Sequence, residues 1–197
     1  MSTRGTYGFR IDGQDKVTYN HCDSYPSGLG EKIVDFIKSF DDAELIEIAK
    51  RIELIDKNSV PNADQISQCV ERGFANFDVA GQSDKDWYCL LRHAHGDLTV
   101  YQNEPEKVPF VFMIDGQRFL RDSLFCEWAY IINLDDLTLE VYAGFNQNPN
   151  ESGRYATYKD EEDSEYYGVR LLKAYPLDEI RSLPIDDFID EIEELTH

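Results

Sequence analysis

The stretch TRGTYGFRIDGQDKVTYNHC, Thr3 to Cys22, decides how the chain begins to fold. Two runs rich in β-branched and aromatic residues, TRGTYGFRI and KVTYNHC, flank DGQD. An Asp-Gly step between such runs is a strong hairpin signal, and the spacing predicts antiparallel strands over about 3–11 and 16–22. The second strand leaves through an unbroken polar run, Tyr19-Asn20-His21-Cys22-Asp23-Ser24-Tyr25, before Pro26 and Gly28 bend the chain. Beyond them Ile33, Val34, Phe36, Ile37 and Phe40 recur at helical spacing.

Asp41 or Asp42 is placed to cap a second helix, whose apolar face runs through Ala43, Leu45, Ile46, Ile48, Ala49, Ile52 and Ile55. A third helix is expected over Asp64 to Phe74, ended near Gly73, and a fourth, WYCLLRHAH, from Asp84 or Asp86 to Gly96. After residue 97 the apolar period falls from near 3.6 to near 2. LTVYQ, VPFVFMI, EWAYIINL and LTLEVYAGF then read as strands, the last two joined as a hairpin at Asp135-Asp136. NQNPNESGRY is a loop, Lys159 to Glu165 a solvated charge run, and YYGVRLLKAYPL a returning strand. After Pro184 an amphipathic helix turns Ile185, Phe188, Ile189 and Ile192 inward and its acids outward. This order predicts an α+β fold over residues 1–197 as a single domain. One mostly antiparallel sheet, built from the N-terminal hairpin and the strands after residue 97, carries the helices.

The formal charge is −20, which disfavours direct binding to nucleic acid or to anionic membranes, since both need a basic footprint. Such a field attracts a protein with a basic surface. Its distribution is uneven: residues 1–30 hold three acids and three bases, whereas residues 159–197 hold thirteen acids and four bases. Glu161, Glu162, Asp163, Asp186, Asp187, Glu191 and Glu194 are therefore the residues expected to meet that partner. No apolar run reaches the roughly 18 residues of a membrane span, and no apolar stretch follows Arg4 as a secretory signal requires. Cys22, Cys69, Cys89 and Cys126 lack CxxC spacing and are expected as reduced thiols of a cytoplasmic protein.

No phosphate-cradling loop or nucleophile-elbow motif occurs, and no cofactor is expected. In an extended strand Tyr19, His21 and Asp23 share one face, so a base or ligand-binding group there is conceivable. Asn20 and Tyr25 complete the candidate ligand-binding set. A plain turn built on Asp23, Ser24, Pro26 and Gly28 accounts for the same residues. Glu127 stands in an apolar run beside Trp128 and calls for a partner such as Arg4, Arg10 or Arg121. His93 and His95 are two apart and face apart on a helix, so no metal site is expected.

The opening STRGTYGFRIDGQDKVTYNHCD resembles the start of N-terminal-nucleophile hydrolases of the choloylglycine type. The resemblance implies Ser2 as nucleophile, where that family has cysteine, and Asp23 as the group holding its amino end. More broadly, RGTYGFR, TYNHCDSYPSGLG, LFCEWAYIINLD and LEVYAGF are similar to stretches of uncharacterised acidic proteins of bacteria and their phages. That likeness implies a family and brings no activity with it. The leading expectation is an acidic soluble binding protein, of the kind by which a phage inhibits a basic nucleic-acid-handling protein. The alternative is a small hydrolase or ligand-binding domain with its site at Tyr19–Tyr25, drawing on Ser2, His21, Asp23 or Glu127.

Overall fold

The computed structural model describes residues 2–78, 83, 85–94, 97–101 and 111–196. The hairpin forms as β1 (Gly5–Ile11) and β2 (Gln14–Asn20), two residues tighter at the turn than the spacing predicts. Asp12 and Gly13 both take positive φ there, the backbone that a two-residue hairpin turn needs. The Asp135 carboxylate accepts both of their N–H groups, at 2.7 and 3.0 Å. The later strands are β5 (Trp128–Asn133), β6 (Thr138–Ala143) and β7 (Arg170–Pro176), and the sheet order is β2-β1-β5-β6-β7. Three of its four pairings are antiparallel, and β1 with β5 is parallel. The α+β class is thus as the sequence predicts.

Strand alternation sorts the core onto two faces. Tyr7, Phe9, Tyr130, Ile132, Leu139 and Val141 point to one side. They are covered there by α1 (Glu31–Lys38), α2 (Asp42–Arg51), α5 (Leu177–Ser182) and α6 (Ile185–Glu194). Ile33, Val34, Phe36 and Ile37 of α1 and Phe188 and Ile192 of α6 are buried in that layer. The opposite face presents Val17, Ala129, Ile131 and Tyr142, covered by Leu120 from a 3₁₀ turn (Gln117–Arg121) and by Tyr155 and Val169 from irregular chain. That cover is tied down by a nearly buried ionic network: Arg154 donates to Glu140 at 2.6 Å and to the Tyr155 hydroxyl at 3.2 Å. Tyr155 donates in turn to Asp15 at 2.7 Å, and Tyr142 and Asn133 donate to Glu140, each at 2.8 Å.

Three expected elements differ. The second helix stops at Arg51, and Ile52–Ile55 leaves as strand β3. It pairs in parallel with β4 (Val111–Ile114) in a separate two-stranded sheet, so the sheet is not single. The physical reason is at the helix end: the Lys16 ammonium donates to the carbonyls of Ala49 and Ile52, at 3.0 and 2.8 Å. Those acceptors are satisfied without another helical turn, and Val111–Ile114 gives the β-branched residues a partner. The fourth helix is one turn, α4 (Trp87–Leu90), capped by Asp86 through the N–H of Tyr88. Leu98–Tyr101 of the predicted strand LTVYQ is a 3₁₀ turn, and residues 95, 96 and 102–110 lie outside the described residues. The third helix, α3 (Ala63–Glu71), is sealed by an Asn62/Gln65 capping box.

In the middle of β1 Gly8 has φ +153°, and a Cβ there would strike the carbonyl oxygen of Lys16 on the neighbouring strand. Gly8→Ala is therefore expected to lower unfolding free energy by about 1–3 kcal/mol or more, read by urea denaturation. An unchanged midpoint would show that the pairing tolerates a side chain.

Candidate functional site

An open groove of about 1000 Å³ lies where the exit of β2 meets the carboxyl ends of β3 and β4. One wall belongs to the large sheet and its flanking loops: Tyr19, His21, Arg118, Phe119, Asp122 and Asp160. The other follows β3 and α4, with Lys57, Asn58, Tyr88 and Arg92; Ile55, Ile114 and Gly116 join the two. Trp87 locks α4 to the loop after β3 by donating its indole N–H to Ser59 at 3.0 Å. The walls are joined by the N–H of Gly116 to the carbonyl of Val17, 2.8 Å, and of Asp115 to Ile55, 3.0 Å. A Cβ on Gly116 would come within 2.9 Å of the Tyr19 nitrogen, so this close approach requires glycine.

The polar run Tyr19–Tyr25 divides between two tasks. Tyr19 and His21 line the groove, hydrogen-bonded hydroxyl to ring Nδ1 at 2.8 Å, with the Tyr19 ring packed edge-on against Phe119 at 5.0 Å. Asn20 and Ser24 instead build the bend. The Asn20 amide donates to Ser24 Oγ at 2.8 Å, and the buried Tyr130 hydroxyl donates to the Ser24 carbonyl at 3.0 Å. Asp23 sits at φ 56°, its carbonyl accepts from Leu29 at 2.8 Å, and the turn continues as a π-helical segment over Pro26–Gly30. The Asp23 carboxylate accepts from the Tyr25 hydroxyl at 3.3 Å on the exposed side of the bend. His21 and Asp23 thus have different partners, and Asn20, Asp23 and Tyr25 are not in the groove lining.

Ser2 donates its hydroxyl to the carbonyl of His21, close to the bend but outside the lining. Glu127 accepts from the backbone N–H of Arg4 at 3.2 Å, extending the β1–β5 pairing, while the Arg4 guanidinium lies 4.5 Å from the Phe125 ring centre. The predicted guanidinium partner of Glu127 is thus replaced by a main-chain donor. His93 is exposed and its N–H donates to the Phe74 carbonyl; His95 is outside the described residues. Among the described residues no group of three His, Cys, Asp or Glu is placed to hold a metal ion. Burial pushes the Cys69 thiol up to about 11 and Cys126 up to about 12, so neither is a thiolate at neutral pH.

The acids expected to face a partner are also divided. Glu161, Glu162 and Asp163 are exposed in the loop before β7, and Asp186, Asp187 and Glu194 are exposed on α6. Glu191 is half-buried and committed inside the molecule, accepting from Lys173 at 2.5 Å and Tyr175 at 2.8 Å. The Lys173 bond holds its carboxyl below the ordinary range.

Several groove residues carry no sequence motif. Arg118 grips Asp160 through two nitrogens, at 2.5 and 3.2 Å, and Arg92 lies over the Tyr88 ring at 5.2 Å. Burial, and then the neighbouring Asp160 charge, raise the Asp122 carboxyl above its usual value. Only the single aspartate that ends each of VFMID and RIELID could have hinted at carboxylates beyond these strands. The chain matches no family model, no curated protein and no solved structure. Among the described residues no helix is long and apolar enough to cross a membrane.

A carboxyl raised in the folded state favours folding below its unfolded value, and that contribution is lost as pH rises through the raised value. Asp122→Asn is accordingly expected to melt higher than the parent at neutral pH, with the gap closing below about pH 3.9. Calorimetric scans across that range check it; a variant that melts lower at neutral pH contradicts the assignment.

Proposed function

We propose that the chain is a ligand-binding protein and that the groove beside Tyr19 and His21 is its site. The observation that carries this reading is the convergence of an imidazole, two guanidinium groups, an ammonium and several carboxylates on one concavity with aromatic and aliphatic walls. Ligand sites in general combine an apolar lining with a few convergent polar groups, in clefts of about 300–1,000 Å³. Open parallel sheets hold ligands beyond the carboxyl ends of their strands, which is where Ile55 and Ile114 end. Ser2 lies outside the lining, which contains no serine, threonine or cysteine among the described residues, so the groove supports ligand binding rather than a hydrolase with Ser2 as nucleophile.

The test is a fluorine-detected fragment screen followed by amide-shift mapping. Hits are expected to move Tyr19, Gly116 and Phe119, and His21→Ala should weaken them about tenfold, the loss of one charge-capable hydrogen bond. Because His21 is exposed, stability should change by no more than about 0.5 kcal/mol. Hits scattered over the surface, or a variant that unfolds, would remove the reading.

A second reading, an acidic face for a protein with a basic surface, is supported by α6. Asp186, Asp187, Asp190, Glu193 and Glu194 are all exposed on ten residues, and none forms an ion pair among the described residues. Acids three and four apart repel, and Glu193 and Glu194 sit at the helix C-terminus, where the dipole opposes them. A cationic partner would relieve that repulsion. Replacing Asp190, Glu193 and Glu194 by their amides should raise the melting temperature of the free protein while weakening association with a lysine-rich peptide. Binding of that peptide should also fall steeply with added salt; salt-independent association would exclude the acidic face.

A further inference from the structure

The charged groups of the groove are sorted by wall. On the large-sheet side Arg118 is neutralised by Asp160, which leaves Asp122 as a carboxylate with no ion pair among the described residues. Asp122 accepts a backbone hydrogen bond from Phe125, and the Arg118–Asp160 pair beside it carries no net charge. On the facing side Lys57 and Arg92 have no ion pair among the described residues either, and Arg92 is propped over Tyr88. The two remaining carboxylates are occupied locally. Asp56 accepts from the backbone and side-chain nitrogens of Asn58 at 2.8 and 3.2 Å, and Asp115 accepts from the N–H of Gln117 at 2.9 Å. Ile55 and Ile114 join the walls, and Tyr19 and Phe119 supply aromatic surface on the large-sheet side.

Resting on the reading of the groove as a ligand site, we infer that it takes a zwitterion with an aromatic or aliphatic body. The ammonium would lie at Asp122, the carboxylate between Lys57 and Arg92, and the body against Tyr19 and Phe119. A net charge of −20 supports the choice. A simple anion approaches against the whole field, and a simple cation is drawn to acids over the entire surface without preference for this groove. A ligand of zero net charge escapes both, and only a site with opposite signs on facing walls orients it. Free amino acids and the ends of short peptides share this chemistry.

Three probes with one body separate the terms: L-phenylalanine, phenethylamine and 3-phenylpropanoate, each titrated into the isotope-labelled full chain at low ionic strength. L-Phenylalanine is expected to shift the amides of Tyr19, Gly116 and Phe119, with a Kd at least about fivefold below that of either singly charged analogue. Asp122→Asn should erase its advantage over 3-phenylpropanoate, and Lys57→Gln with Arg92→Gln its advantage over phenethylamine. A dipeptide, Phe-Gly, distinguishes the two sources by whether the added residue strengthens or weakens binding. Equal binding of the three probes overturns the zwitterion and leaves the groove as an apolar site. Tighter binding of one analogue, or no shift in the groove with any probe, also overturns it. In the latter case the fragment screen separately decides whether the groove binds ligands at all.

Discussion

The parallel pairing of Gly5–Arg10 with Trp128–Asn133 is the constraint on which the remaining structure depends. It closes a loop of well over a hundred residues, and everything between the two strands must pack within that closure. Loop-closure entropy grows only slowly with length, so the pairing is sustained chiefly by what it buries. Tyr7, Phe9, Tyr130 and Ile132 supply one face and Thr6, Ala129 and Ile131 the other, all without exposure to solvent. Each buried large side chain contributes about 1.5–3 kcal/mol, an upper figure for a realistic unfolded chain. Arg10, paired with Asp15 near the hairpin turn, is the one charged side chain on these two strands, and the polar residues collect instead where β2 leaves the sheet.

The groove is a by-product of joining two sheets that differ in size and direction. Lys16 reaches from the edge strand to the end of α2 and replaces the next helical turn, which releases Ile52–Ile55 to pair with Val111–Ile114. Gly116 then brings the exit of β4 against the backbone of β2. Burial lowers the affinity of Lys16 for its proton, with Asp12 acting in the other direction, so the ammonium is held by geometry against its own desolvation. Where the sheets diverge beyond Gly116, aromatic rings and carboxylates line the groove.

Local signals made much of this legible. The Asp-Gly turn, the stripe from Ile33 to Ile37, the Asp135-Asp136 hairpin and the final amphipathic helix are each encoded within about twenty residues. What escaped depends on partners distant in sequence. Ile52 and Ile55 extend the helical period of α2 perfectly well, and only Lys16 and Val111 make them a strand. Tyr19 and His21 stood out as a polar cluster at a strand exit. Their neighbours in the groove, Arg92, Phe119 and Asp122, come from segments that alternation and spacing cannot bring together. Period-two alternation grouped Asp23 with His21, but the positive φ of Asp23 ends the strand geometry and turns it away from that pairing.

The irregular chain between β6 and β7 does for the second face of the sheet what helices do for the first. To the apolar packing of Tyr155 and Val169 it adds a charged clasp, in which Arg154 is bonded to Glu140 and Tyr155 while its Nε is buried without a partner among the described residues. A helical layer attached by apolar area separates only with the whole core, whereas a clasp of charge-assisted bonds can open by itself. Hydrogen exchange should therefore distinguish two tiers in this protein, an inner one shared by the central strands and an outer one in which the Arg154 clasp opens first.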